Sequence, residues 1–234
     1  MFERPHHLRV AYVLGTLDAT RLLAHDCLFG GGTAMALRYG EYRESVDIDF
    51  LVSSLPGYRA LRQLLTGPDG VRPLLREGQS LQQSREVRAD QYGIRTLVQV
   101  EGVDIKLEIV NEGRIVLQPP GPEDRVCGVA TLTPLDMAAS KLLANADRWR
   151  DDSVRSRDLI DLAMMAPPKP LLVQALDKAH AAYGDAVRRD LLRAVAGLRE
   201  RPGRLAECMQ AMRMTTVSPA LLWQRIRHLE RRAQ

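Results

Sequence analysis

The chain has 234 residues, 45% of them hydrophobic, and 33 Lys and Arg against 29 Asp and Glu, for a formal net charge of +4. No run approaches the ~20 apolar residues of a membrane span, the N-terminus has no apolar signal core, and Cys27, Cys127 and Cys208 give neither a disulfide framework nor a Cys-x-x-Cys zinc spacing. A cytoplasmic globular protein with no membrane partner is expected, and its arginine-rich charge permits a phosphate-bearing partner without demanding one.

Apolar residues at helical spacing over residues 8–26 predict an amphipathic helix. A short apolar run, Cys27-Leu28-Phe29, then meets Gly30, Gly31 and Gly32, and Thr33 to Leu37 has small and apolar residues at helical density. Residues 46–52 alternate and then run apolar, as a half-buried strand does. Strand side chains repeat every two residues, so Asp47 and Asp49 share one face while Val46, Ile48 and Phe50 turn to the core. Two carboxylates held side by side repel unless positive charge sits between them. A divalent metal with oxygen ligands is the usual answer. The glycines let backbone approach a ligand closely, and the helix start behind them offers free N–H groups to phosphate. A phosphate cradle followed by metal-binding carboxylates suggests chemistry on a nucleoside triphosphate.

Residues 55–65 predict a short helix, stopped by the turn cluster Thr66-Gly67-Pro68-Asp69-Gly70. Residues 71–90 are polar and weakly periodic and read as a helix fragment and a loop. Two strands follow, 92–100 and 103–110, joined by a hairpin at Glu101-Gly102. On the second, Asp104, Lys106 and Glu108 form a charged face, which is either the wet side of a sheet or a source of a third carboxylate beside Asp47 and Asp49. Pro119-Pro120-Gly121-Pro122 is a rigid break. Residues 126–132 read as one more strand, and Cys27 and Cys127, in apolar runs, as small core residues.

Thr133 as N-cap and Pro134 at the first helical position open a helix over 134–148. From there the pattern is helical, which divides the chain into domains 1–132 and 133–234. Lys141 sits among Ala138, Ala139, Leu142, Leu143 and Ala144, where a lysine either snorkels to water or serves a site. The next helix, 154–165, carries Arg157, Asp158 and Asp161, with Asp161 read either as a salt-bridge partner of a neighbour such as Arg157 or as a site residue. Three or four more helices are expected, near 170–183, 185–199, 202–213 and 218–233. Arg225, Arg227, Arg231 and Arg232 form a basic tail, a solvated face or a contact for RNA phosphates. The five histidines show no zinc spacing and read as surface or packing residues.

Gly31, Gly32, Thr33, Ala34, Leu37, Arg38 and Gly40, followed by Ser45, Asp47, Ile48, Asp49 and Phe50, resemble the AbiEii/AbiGii-type toxin branch of the polymerase β-like nucleotidyltransferase superfamily. The second half resembles it too, in Lys141, Leu142, Ala144 and Arg148, then Arg157, Asp158, Leu159, Asp161 and Leu162. The resemblance implies an α+β fold: a nucleotidyltransferase core of mixed sheet flanked by helices, with a C-terminal helical domain. It implies Asp47 and Asp49 as holders of Mg²⁺, two ions in this chemistry, and a third carboxylate on a neighbouring strand, with Asp104 the first choice and Glu108 the reserve. Gly31, Gly32 and Thr33 would contact the NTP phosphates, with Ser45 supporting the loop. Lys141 would meet the triphosphate as a point charge. Asp158 would orient Lys141 or help the incoming hydroxyl lose its proton.

The expected function is transfer of a nucleotide from an NTP to an RNA acceptor such as the tRNA 3′ end, by a toxin with a cognate antitoxin. The alternatives are nucleotidylation of a protein or of a small molecule such as an antibiotic, and a module that binds nucleotide or antitoxin without turnover.

Overall fold

The computed structural model describes residues 2–234. Two compact units are present: one runs to Leu37 and takes up Ser45–Thr133, and the other joins Arg38–Glu44 to Pro134–Gln234.

The first unit is built on a mixed five-stranded sheet. Its strands are β1 (Leu28–Gly30), β2 (Ile48–Val52), β3 (Gln82–Ala89), β4 (Gly93–Val100) and β5 (Val103–Asn111), in the order β1-β2-β5-β4-β3. Only β2 and β5 pair in parallel, with Asp49 opposite Glu108 and Ile48 opposite Leu107. Alternation puts Ile48, Phe50, Ile105, Leu107, Ile109, Ile94 and Val98 in the core, where Phe29 and Phe50 meet with ring centroids 5.7 Å apart. Asp49, Lys106, Glu108 and Arg95 therefore share the opposite, polar face. Glu101 and Gly102 both have positive φ, 51° and 77°, as a two-residue hairpin turn requires.

The helix expected over 8–26 is two, α1 (Pro5–Thr16) and α2 (Ala19–Ala24). Leu17 leaves the helix to bridge Leu75, and the Asp18 side chain caps α2 by accepting from the Arg21 amide at 3.0 Å. Val46 is 48% exposed rather than core, because β2 begins only at Ile48. Residues 82–89 form a strand where a loop was expected. β3 lies at the sheet edge, is mostly exposed, and shifts register twice against β4, so backbone pairing rather than apolar alternation makes it a strand. The strand expected over 126–132 is a small hairpin, β6 (Arg125–Val126) and β7 (Val129–Ala130). Its turn, Cys127-Gly128, exposes Cys127 instead of burying it. α3 (Gly31–Arg38) follows β1, and α4 (Leu55–Leu65) packs on β2.

The second unit holds α5 (Pro134–Arg148), α6 (Arg157–Met165), α7 (Lys169–Tyr183), α8 (Ala186–Arg199), α9 (Arg204–Ala211) and α10 (Pro219–Ala233). α5 packs on α6, α7 and α8, and α10 closes over α6 and α8. Leu142, Leu143, Leu159, Ile160, Leu162, Leu172, Leu191, Val195, Leu222 and Ile226 are buried there. α6 starts three residues later than expected, after Arg155 and Ser156, which both take left-handed backbone with φ 55° and 51°. Two arginines of the basic tail are engaged rather than free. Arg225 donates to the Met164 carbonyl at 3.1 Å and Arg232 to the Pro167 carbonyl at 2.7 Å, which caps the end of α6. No helix among the described residues is long and apolar enough to cross a membrane.

An exposed, irregular edge strand opens more easily than a strand paired on both sides. Amide exchange is expected to run faster through Gln82–Ala89 than through Val103–Asn111, and equal protection in hydrogen-exchange mass spectrometry would contradict the edge placement.

Candidate active site

In the sheet unit the acidic pair is assembled by a short loop and two backbone elements. Asp49 lies on β2, and Asp47 stands one residue before it. Gly30 is the cross-strand partner of Asp49. The next residue, Gly31, opens α3 at φ +68°, and its α-carbon lies against the Asp49 side chain: a Cβ built at Gly31 would overlap the carboxylate and stand 2.7 Å from Asp49 Cβ. Only glycine meets both demands. Asp49 thus sits beside the amino end of α3, where the helix dipole favours negative charge.

The segment carrying Ser45 and Asp47 is fixed from two sides. The buried Thr33 hydroxyl donates to the Asp47 carbonyl, and Thr33 Oγ1 also pairs with Ser45 Oγ at 2.9 Å. From α1, His7 Nε2 accepts from the Ser45 amide at 3.1 Å, and His6 Nε2 lies 2.8 Å from the Val46 carbonyl. His6 and His7 were missed in the sequence, where two adjacent histidines far from the motif carry no distinguishing signal.

The neighbouring strand brings Glu108, not Asp104, to Asp49. Asp104 lies four residues back along β5, roughly 13 Å away at the usual strand rise, and accepts from Ser84 Oγ at 2.8 Å and Gln99 Nε2 at 3.2 Å. Glu108 is held by two cations: Arg95 Nε donates to Oε1 at 2.6 Å and Lys106 Nζ donates to Oε2. Burial works against the Lys106 ammonium. The hydrogen bond to Glu108 and the charges of Glu108, Asp47 and Asp49 outweigh it and raise Lys106 above its usual range. No group of three or more His, Cys, Asp or Glu side chains converges as a metal cage among the described residues.

In the helical unit, Lys141 and Asp158 meet in a buried ionic chain. Lys141 Nζ lies 3.1 Å from Asp158 Oδ1 and 2.6 Å from Asp161 Oδ2. Arg148 grips Asp158 through Nε at 2.7 Å and Nη2 at 3.0 Å. Arg43 grips Asp161 in the same fashion, at 2.7 and 2.9 Å, and Tyr42 donates its hydroxyl to Asp161 at 2.7 Å. Asp161 therefore pairs with Arg43 and Lys141 rather than with Arg157, which is exposed. Arg43 and Tyr42 fall in a turn-like stretch with no periodicity to announce them.

Lys141 is 5% exposed, Asp158 2% and Asp161 0%. Burial alone would raise both carboxyls. For Asp161 the charges and hydrogen bonds of Arg43 and Lys141 overturn that and hold it well below the usual carboxylate range. Asp158 is lowered in the same way by Lys141 and Arg148. Burial first, and then the Asp161 charge, push the Tyr42 phenol well up.

Gly31→Ala is expected to lower the melting temperature, since left-handed backbone strain of about 1–2 kcal/mol adds to the clash with Asp49. A melt matching wild type would contradict that placement. Asp161→Asn is expected to cost about 3–5 kcal/mol at neutral pH, as when one partner of a buried pair is removed. A depressed carboxyl lends stability that is present above the unfolded value and lost as pH falls. Urea titrations should therefore show the gap between wild type and variant narrowing below about pH 4.

Comparison with known proteins agrees with this architecture. A candidate nucleotidyltransferase from H. pylori superposes with a TM-score of 0.52 at 17% identity, covering 97% of this chain and 92% of that one. JHP933 from Helicobacter pylori gives 0.53 at 17% identity, covering 100% and 92%. At this identity the likeness speaks to the fold. No curated protein matches the chain significantly in sequence. Residues 14–228 match the family model described as nucleotidyl transferase AbiEii toxin, type IV TA system. With nearly its whole length inside that match, the chain belongs to the AbiEii nucleotidyltransferase toxin family.

Proposed function

We propose that this enzyme is a Mg²⁺-dependent nucleotidyltransferase that moves a nucleotidyl group from an NTP to an RNA acceptor, with the tRNA 3′ end as the favoured class. The observation that carries the reading is the placement of Asp47 and Asp49 at the head of β2, with Asp49 against the amino end of α3. Oxygen donors on one or two carboxylates suit Mg²⁺, which completes its shell with water and substrate phosphate rather than with an all-protein cage. Asp47 and Asp49 fit that demand and would hold the ions. Bound Mg²⁺ supplies charge stabilisation at the attacking and leaving oxygens.

The remaining roles belong to the chain's own groups. Amides at Gly31, Gly32 and Thr33, at the positive end of a helix, would receive the β- and γ-phosphates. Thr33 and Ser45 keep the Asp47 loop in place. An acceptor hydroxyl oxygen bonds to the α-phosphorus, its proton passes to solvent water, the α–β phosphoanhydride breaks, and pyrophosphate leaves with its electron pair. Lys141 is the cation assigned to the triphosphate. Asp158, lowered and gripped by Arg148, suits orientation of that lysine better than proton abstraction, for which a value near the working pH is preferred. Function in the cytoplasm, where NTP and RNA are abundant, and opposition by a cognate antitoxin complete the proposal.

Incubation with Mg²⁺, each labelled NTP and total RNA is expected to label RNA near tRNA size. Asp47→Asn and Asp49→Asn should each lower the rate about 10²-fold or more while leaving the melt nearly unchanged. Labelling of protein or of an aminoglycoside in place of RNA would move the acceptor to another class, and nucleotide binding without any product would make the protein a binding module.

A further inference from the structure

The polar face of the sheet holds a cation that the proposed chemistry does not use. Lys106 lies on β5 two residues before Glu108, on the same side of the strand. Glu108 is opposite Asp49, and Ile48, the residue after Asp47, is opposite Leu107, the residue after Lys106. Its ammonium donates to Glu108 Oε2, while Arg95 occupies Oε1. Both oxygens of the carboxylate paired across from Asp49 are thus taken by cations, and one of these cations also feels the charges of Asp47 and Asp49. Arg95 is further tied to Asp90 at 3.1 Å, whereas the Lys106 side chain is 40% exposed on a flexible stem.

We infer that Lys106 is the resident counter-ion of the acidic site, neutralising Asp47, Asp49 and Glu108 when no metal is bound and giving way when a divalent cation enters. This rests on the reading of Asp47 and Asp49 as metal-holding residues. Like charges on adjacent strands destabilise a sheet, and three carboxylates without a cation would strain the β2–β5 pair. Lys106 relieves that repulsion in the apo protein and competes with metal for the same charges. Its withdrawal frees one oxygen of Glu108, the cross-strand partner of Asp49.

The test is Mn²⁺ binding to the full-length, EDTA-stripped protein without nucleotide, followed by calorimetry and by the free-Mn²⁺ paramagnetic resonance signal. Lys106→Met, which keeps the stem and removes the charge, is expected to bind Mn²⁺ about tenfold tighter, the scale of one opposite charge within a few ångströms. It should also melt lower than wild type in EDTA and regain stability on adding Mn²⁺. Lys106→Arg keeps the charge and should bind as wild type does. Equal or weaker binding by Lys106→Met, in a series where Asp49→Asn loses Mn²⁺, would overturn the counter-ion role and leave the metal site standing. Binding that survives both Asp47→Asn and Asp49→Asn, or no binding by wild type and Lys106→Met alike, would overturn the metal reading and this inference with it.

Discussion

A carboxylate with no solvent exposure has to be matched by fixed positive charge, and Asp161 is that carboxylate. Taking it out of water costs several kcal/mol, recovered only if its oxygens are fully occupied in good geometry. Arg43, Lys141 and Tyr42 do this together, and Asp158 with Arg148 extends the chain of charge toward the surface. The alternation of three cations with two carboxylates fixes side chains from α5, from α6 and from the Arg38–Glu44 segment in one arrangement. Lysine has a long and mobile stem, and two anions are needed to hold Lys141 in one place.

The sheet unit meets the reverse problem. Its polar face collects carboxylates, and it answers them with Lys106 and Arg95 on adjacent strands and with the amino end of a helix. The acidic pair is therefore prepared by backbone geometry more than by side-chain ligation. Gly31 gives Asp49 its space, and Thr33, His6 and His7 hold the turn that presents Asp47.

What the sequence made legible follows from how local each signal is. Pro134 marks the start of α5, and Glu101-Gly102 marks the hairpin, because helix starts and turns are written within a few residues. The Gly31 to Asp49 motif was legible for the same reason. The choice between Asp104 and Glu108 was not, since the register of a parallel pair depends on strands more than fifty residues apart. β3 was hidden because an exposed edge strand has no apolar alternation to display. Arg43 was hidden because a buried guanidinium in a loop looks like a surface one until Asp161, far along the chain, is folded beside it.

The Arg38–Glu44 segment gives the chain a stitched construction. It leaves the sheet unit between the first helix of the motif and its acidic strand, and it packs with residues more than ninety positions later. No single cut yields two self-sufficient pieces: a fragment ending near 133 carries Arg43 away from Asp161, and one beginning at 134 leaves Asp161 without its guanidinium. The helical half is thus no detachable appendage that recombination can exchange as a cassette. Any swap has to import the seven-residue strap along with the helices.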